Sequence, residues 1–467
     1  MTDGLGLEGA YSETLSRIKG QGEEEARLGM ATLMWISHSE RPLKIDELCH
    51  ALGVEIGSPD LDGDNVPSVG TLLSSCQGLV TVDKEASTVR LIHFTLLEYL
   101  RAHPELFGRA HSTIAETCLS YLNSNQVTAL STTPPYPDTP FLEYSSLYWG
   151  VHAKRDLSDC ARLLVLKLFD NYNNHISPKV LLNAQKPRFS YVNFDKPSRF
   201  SGLHCASFFG IVEVVTGFVE MKDCDINQTD SIDFTPLTWA SRNGHGGVVK
   251  ILLGRDDVNP DKQDKYGRTP LWAATENGHE GVVEMLLARD DVNPEKPDKY
   301  GQTPLCSAAS NGHEGVVKIL LRRDNVNPDK PGEYKKTPLC CASWNGHEGV
   351  VKILLRRDDV NTNHPDNCRQ TPLCGAVTNG HEGVVKILLE QDDVDPNSQD
   401  MDGETPLWRA ARFGYERVVK ILLERGDVDP DKPDKHGRTP LSCATEYGHT
   451  AVIALLQLVT SATPSTE

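Results

Sequence analysis

The sequence predicts a mainly α-helical protein: an N-terminal winged-helix block, a helical connector, then an α-solenoid of about eight repeats. Three observations carry this. The tripeptide Thr-Pro-Leu recurs at Thr235, Thr269, Thr303, Thr337, Thr371, Thr405 and Thr439, each 34 residues after the last. A second signature, Gly-His-Glu-Gly-Val-Val-Lys-Ile-Leu-Leu or a close variant, travels in the same register. Ahead of both, residues 26–103 read as three helices, a β-hairpin and a fourth helix. A fixed period of this length implies units that each pack only on their neighbours.

Taken in order, residues 1–25 carry Gly4, Gly6, Gly9, Gly20 and Gly22 and are expected to form a weakly ordered lead-in. Leu28, Ala31, Leu33, Met34 and Trp35 then suggest an amphipathic helix. Pro42 opens a second helical segment, Ile45 to Leu52, closed by Gly53. A third is expected over Val66 to Cys76. Val80-Thr81-Val82 and Val89-Arg90-Leu91-Ile92 flank a polar run, Asp83 to Thr88, and read as a hairpin. Phe94 to Arg101 completes the block. Residues 104–196 form the connector, with helices expected over Ala110 to Leu122, Leu142 to Lys154 and Cys160 to Phe169, and a loop over Ser131 to Pro140. The repeats are expected over 197–460, opened by a divergent copy at Ser201-Gly202-Leu203-His204, and followed by a tail over 461–467.

Each repeat has a physical logic. Thr supplies an oxygen for an orphan backbone N–H at a helix start, and Pro fills the first helical position, where its missing donor costs nothing. In the third repeat Leu271 and Ala274 share one buried face. Gly278 ends that helix in a left-handed cap. Val282, Val283, Leu286 and Leu287 give the second helix its apolar stripe. The chain then turns back through Asp298-Lys299-Tyr300-Gly301.

This pattern resembles the ankyrin repeat, and the resemblance covers roughly residues 200–460. It implies paired helices with a β-turn finger, and a concave surface, with the finger tips, for binding another protein. Two features depart from the family. One extra residue enters the finger, and the family's His after Thr-Pro-Leu stands only at His204. Thr238, Trp272, Cys306, Cys340, Cys374, Trp408 and Ser442 replace it elsewhere, so the stiffening Thr–His hydrogen bond is not expected there. The N-terminal block, in Leu79-Val80-Thr81-Val82-Asp83, Arg90 to Leu100 and Tyr148-Trp149-Gly150, resembles the region after the nucleoside-triphosphatase domain of fungal NACHT–ankyrin proteins, the NOD-like STAND receptors. It is also similar to the winged helix of GPI inositol-deacylase-like proteins. The resemblance implies a relay between a nucleotide switch and a repeat sensor. No GxxxxGK[ST] occurs in the chain. The expectation is therefore the C-terminal portion of such a receptor, either a truncated product or a part acting with a separate NACHT subunit.

Composition narrows the function. A net charge of −18 argues against a general nucleic-acid binder, since phosphate binding needs clustered Lys and Arg. The expected third helix of the winged block contains neither. A DNA-binding regulator acting through that helix is the alternative reading, and a product with no function of its own a third. No apolar stretch is long enough for a membrane span, and the 12 cysteines, with no CxxC, read as reduced thiols in a cytoplasmic protein. His245, His279, His313, His347, His381 and His449 stand one per repeat. Stacked helices lie about 8–10 Å apart, too far for a shared metal ion, so these are turn histidines; Cys306, Cys340 and Cys374 are small apolar fillers. No GxSxG is present, so no catalytic, cofactor or metal residues are assigned and no enzymatic activity is expected. What varies from repeat to repeat is expected to face a protein partner. This set comprises Tyr266, Tyr300 and Tyr334 in the fingers, Arg268, Gln302, Lys336 and Gln370 just before each Thr, and Glu276, Ser310, Trp344, Thr378 and Arg412 at first-helix ends. Trp344 leads it, because exposed Trp is enriched among binding hot spots.

Overall fold

The computed structural model describes residues 4–131, 139–185, 199–221 and 223–460. The expected tail, most of the expected Ser131–Pro140 loop and the expected start of the array at residue 197 lie outside them. The chain divides into two compact units, Met1–Ile232 and Asp233–Glu467.

The first unit begins with helix α1, Gly4–Lys19, where a weakly ordered lead-in was expected. Tyr11, Leu15 and Ile18 recur at helical spacing and are buried, and that apolar face outweighs the glycines. The Tyr11 hydroxyl also bonds Thr95 Oγ1 at 2.8 Å. Helices α2 (Glu23–His38), α3 (Ile45–Gly53) and α4 (Val69–Ser75) follow. The last starts three residues later than expected, because Ser68 is the cap: its Oγ accepts from Thr71 N at 3.1 Å. Gly29 of α2 permits the close approach of α4; a Cβ there would lie 2.6 Å from Ser75 O. Strands β1 (Val80–Asp83) and β2 (Thr88–Leu91) pair antiparallel, Val80 opposite Leu91 and Val82 opposite Val89. Asp83 Oδ1 closes their turn by accepting from Glu85 N and Ala86 N at 3.0 and 3.1 Å. Helix α5, Phe94–Ala102, completes the expected winged-helix order.

The connector contains α6 (Ala110–Leu122), α7 (Asn125–Thr128), α8 (Leu142–Arg155), α9 (Asp159–Phe169) and α10 (Ser177–Ala184). Trp35 from the winged block meets Phe141 and Tyr144 at ring separations of 5.7 and 5.9 Å, so one aromatic core serves both parts. Three histidines lie at the same junction. Tyr144 Oη and His152 Nε2 are 3.0 Å apart, His152 Nδ1 and His111 Nδ1 2.9 Å, and the His38 ring packs on His111.

The first repeat, α11 (Gly202–Phe209) and α12 (Val212–Glu220), belongs to this unit rather than to the rest of the array. Aromatic packing explains the difference from the expected boundary. Trp149 meets Phe209 at 5.3 Å, and Phe169 meets Phe218 at 6.0 Å. Gly150 leaves room for the Phe209 ring, which a Cβ would approach to 2.2 Å.

The second unit holds seven helical hairpins. In the third repeat of the chain they run Pro270–Glu276 and Glu280–Leu287, and Leu271, Ala274, Val282, Val283, Leu286 and Leu287 are all buried. Every Thr of Thr-Pro-Leu is the expected cap, accepting from the backbone N–H three residues on at 3.1–3.4 Å. Gly278 has φ +74°, the left-handed conformation that its turn requires. The next residue, His279, carries the contact between repeats. Its Nε2 donates to Arg242 O of the preceding repeat at 2.9 Å, and His313, His347, His381 and His449 repeat this with Glu276, Ser310, Trp344 and Arg412 at 2.9–3.0 Å. The turn histidines thus form a ladder. Tyr415 replaces the histidine in one repeat and packs its ring on Gly380.

The cysteines after Thr-Pro-Leu do more than fill space. His204 Nε2 bonds Gln228 O at 3.2 Å, and Cys306 Sγ reaches the equivalent Lys330 O at 3.6 Å. Cys340 Sγ reaches His364 O at 3.4 Å. A thiol is a weak donor, yet it points to the same finger carbonyl as the imidazole it replaces. Burial pushes the Cys340 thiol up to about 12, so it stays protonated.

Candidate protein-docking surface

Five of the fingers are turns built around one carboxylate. Asp264 Oδ1 accepts from Tyr266 N and Arg268 N, both at 2.8 Å, while Gly267 N donates to Asp264 O. Asp298, Asp366, Asp400 and Asp434 repeat the arrangement. Gly332 stands in their place in one finger, and there Tyr334 and Lys335 take positive φ, +55° and +59°. Neighbouring fingers are joined through the backbone. Lys299 N donates to Tyr266 O at 2.7 Å, Asn367 N to Tyr334 O at 2.8 Å and Met401 N to Cys368 O at 3.0 Å. The side chains on these tips are therefore carried by a stiff frame.

Paired helices, a carboxylate-braced finger and the Gly-His ladder recur with the 34-residue period, and the profile described as ankyrin repeats (3 copies) matches residues 203–298, 291–366, 325–400, 357–434 and 373–463. Together these spans cover more than half of the chain. The chain belongs to the ankyrin-repeat family. Residues 17–112 match the winged helix domain described for GPI inositol-deacylase. No curated protein matches the chain.

Within the ankyrin array the expected partner-facing residues divide sharply. Tyr300 and Tyr334, at equivalent finger positions of adjacent repeats, are 61% and 63% exposed. Tyr266 is half-buried, covered by the Arg268 guanidinium 4.8 Å from its ring. Arg268 itself does not face a partner. It is buried, ion-paired to Asp264 at 2.8 Å and surrounded by Tyr266, Phe234 and Trp272, so its charge and its π-face contacts are already used inside the repeat. Trp344 is half-buried rather than exposed: Lys336 Nζ lies 3.9 Å over its ring, and the ring rests against Gly375. Glu276 is held by Arg242 at 2.7 Å, and Gln302 and Ser310 are half-buried.

The remaining expected residues converge on an arginine that the sequence reading passed over. Arg409 stands where other repeats carry Ala273, Ser307, Cys341 and Gly375. That break in a run of small residues was the available signal. Its guanidinium pairs with Asp400 and with Glu404 at 3.2 Å, and donates to Thr378 Oγ1 at 3.0 Å. With its amide oxygen turned inward, Gln370 accepts from the same group at 2.8 and 3.1 Å. Arg412 sits 3.5 Å from Glu404 and within 5.8 Å of the Trp408, Phe413 and Tyr447 rings. Burial raises the Glu404 carboxyl above the usual range, and Arg409 opposes that shift. Phe413 and Tyr447 are well exposed beside Arg412. The surface therefore holds two exposed finger tyrosines, Tyr300 and Tyr334, a Lys336–Trp344 pair, and an ionic patch around Arg409 and Arg412.

Among the described residues no helix is long and apolar enough to cross a membrane. The α4 helix of the winged domain, Val-Gly-Thr-Leu-Leu-Ser-Ser, carries no basic side chain.

Proposed function

We propose that the chain is a non-enzymatic, cytoplasmic scaffold, the sensing and relay half of a fungal NACHT–ankyrin-type receptor in innate immunity. It holds a protein partner on the finger tips and first-helix ends of its ankyrin array. The observation that carries this reading is the pair Tyr300 and Tyr334. Two aromatic rings stand at equivalent positions of adjacent fingers, more than half exposed, and each of the two fingers is hydrogen-bonded through its backbone to its other neighbour. Rigid aromatic anchors of this kind bury large area at low entropic cost. The winged helix of the GPI inositol-deacylase type supports the relay role, because in such receptors that domain lies between a nucleotide switch and the repeats. A separate NACHT subunit would supply the switch.

The test is capture of a protein from host or foreign extracts on the immobilised chain. Tyr300→Ala with Tyr334→Ala should abolish capture and leave the thermal melt nearly unchanged, since neither ring is buried. Adding Trp344→Ala should deepen the loss but also lower the melt, because Trp344 packs on Gly375 and Lys336. Undiminished capture by the double variant refutes the reading.

A further inference from the structure

The exit of each second helix carries a guanidinium clamp. Arg255, Arg289, Arg357 and Arg425 each grip the Asp two residues on, namely Asp257, Asp291, Asp359 and Asp427, with donor–oxygen distances of 2.6–3.0 Å. Arg289, Arg357 and Arg425 also donate through Nη1 to a carbonyl of the preceding repeat, Leu253 O, Leu321 O and Leu389 O, at 2.9–3.1 Å. Arg323 occupies the same position in the fourth repeat, but the residue two places on is Asn325. An amide offers one neutral oxygen where the carboxylate offered two charged ones, and cannot hold the fork. Arg323 is exposed, and among the described residues its side chain makes no ion pair or hydrogen bond. The same is true of its neighbour Arg322. Together with Arg289 they line a surface cavity of about 350 Å³.

We propose that this cavity is a docking site for carboxylate side chains on an acidic segment of a protein partner, separate from the finger and first-helix surface. The chain itself supplies the template: the same guanidinium binds a carboxylate in four other repeats, through two N–H groups at Arg255, Arg289 and Arg357 and through Nε at Arg425. At Arg323 the fork is left for a carboxylate from outside. Desolvating such a planar fork costs less than desolvating an ammonium, which suits arginine to interfaces. The rest of the wall excludes a polyphosphate backbone. Asp290 and Asp324 line the cavity beside the arginines, and a chain of net charge −18 repels a continuous run of phosphates. Isolated carboxylates spaced along a peptide can reach the arginines while avoiding both aspartates.

The experiment is a fluorescence-anisotropy titration of the full chain with a labelled peptide whose glutamates are spaced by glycine and serine, at low and moderate salt. Saturable binding is expected, weakening with salt. Asn325→Asp gives Arg323 the internal partner its four counterparts have, and should weaken binding about tenfold or more, the equivalent of one charge-assisted pair. It should do so without lowering the melting temperature. Arg323→Gln should match it. Tyr300→Ala with Tyr334→Ala should leave the peptide affinity unchanged, so that failure of the finger surface and failure of this site are told apart. The proposal is overturned if wild-type protein shows no saturable binding, or if Asn325→Asp binds like wild type. Tighter binding of an oligothymidylate than of the peptide also overturns it, by assigning the site to phosphates.

Discussion

The histidine ladder makes the sharpest quantitative prediction about this array, through His313→Ala. His313 Nε2 donates to Glu276 O at 3.0 Å, and its ring lies so close to the left-handed Gly278 that a Cβ there would be 2.7 Å from Nδ1. Loss of the hydrogen bond costs about 1 kcal/mol net. Loss of a half-buried ring adds about 1 kcal/mol of apolar contact. The sum, about 2 kcal/mol, falls on one seam, because a stack of repeats is held by nearest-neighbour interfaces. The reverse change is available within the same chain. Tyr415 lacks the imidazole, so Tyr415→His should let Nε2–H reach Thr378 O, the equivalent carbonyl, and gain about 1 kcal/mol. Urea denaturation of the full chain followed by far-UV circular dichroism reads the midpoints, and hydrogen exchange locates the loosened seam. A shift below about 0.5 kcal/mol for His313→Ala, the range of ordinary surface changes, together with destabilisation by Tyr415→His, would refute the ladder as the main polar tie between repeats.

Two further predictions concern the first unit. Burial holds the His152 imidazole at about 3, with His111 and Arg155 adding repulsion, and burial lowers His111 and His38 as well. A depressed folded-state value means that the unfolded chain takes up protons first as pH falls below about 6.5. Stability is therefore full above that value and declines below it, by about 2 kcal/mol at pH 5 from His152 alone. Urea midpoints measured from pH 8 to 5 should show this fall, and His152→Gln should flatten it. Separately, Gly150→Ala should drive a methyl into the Phe209 ring, 2.2 Å from the new carbon. The expected cost is about 1–3 kcal/mol, read as a lower thermal midpoint for the unit containing the first repeat.

Much of the architecture was legible because it depends on short-range rules. Thr before Pro caps a helix and Gly in the left-handed region ends one. Paired Val and Leu at helical spacing bury one face, wherever the segment sits in space. The 34-residue period multiplied that local signal seven times, and the hairpin from Val80 to Leu91 followed from alternation around a polar turn. The helix over Gly4–Lys19 was not legible, because Tyr11, Leu15 and Ile18 outweigh the glycines only once a partner face exists to bury them.

The docking surface was legible as a set of variable positions, not as a surface. Arg268 and Tyr300 fall in the same class when repeats are aligned, yet one is neutralised by Asp264 within an aromatic box and the other projects from its finger. Asn325 likewise differs from Asp291 by one functional group, and only its place beside the Arg323 fork makes that difference matter. The sequence by itself determined the helices, their caps and their order, because hydrogen bonds and apolar periodicity act over a few residues. Tertiary structure alone decided which charges are spent internally and which are free to meet a partner, because pairing and burial depend on groups brought together from separate turns and repeats.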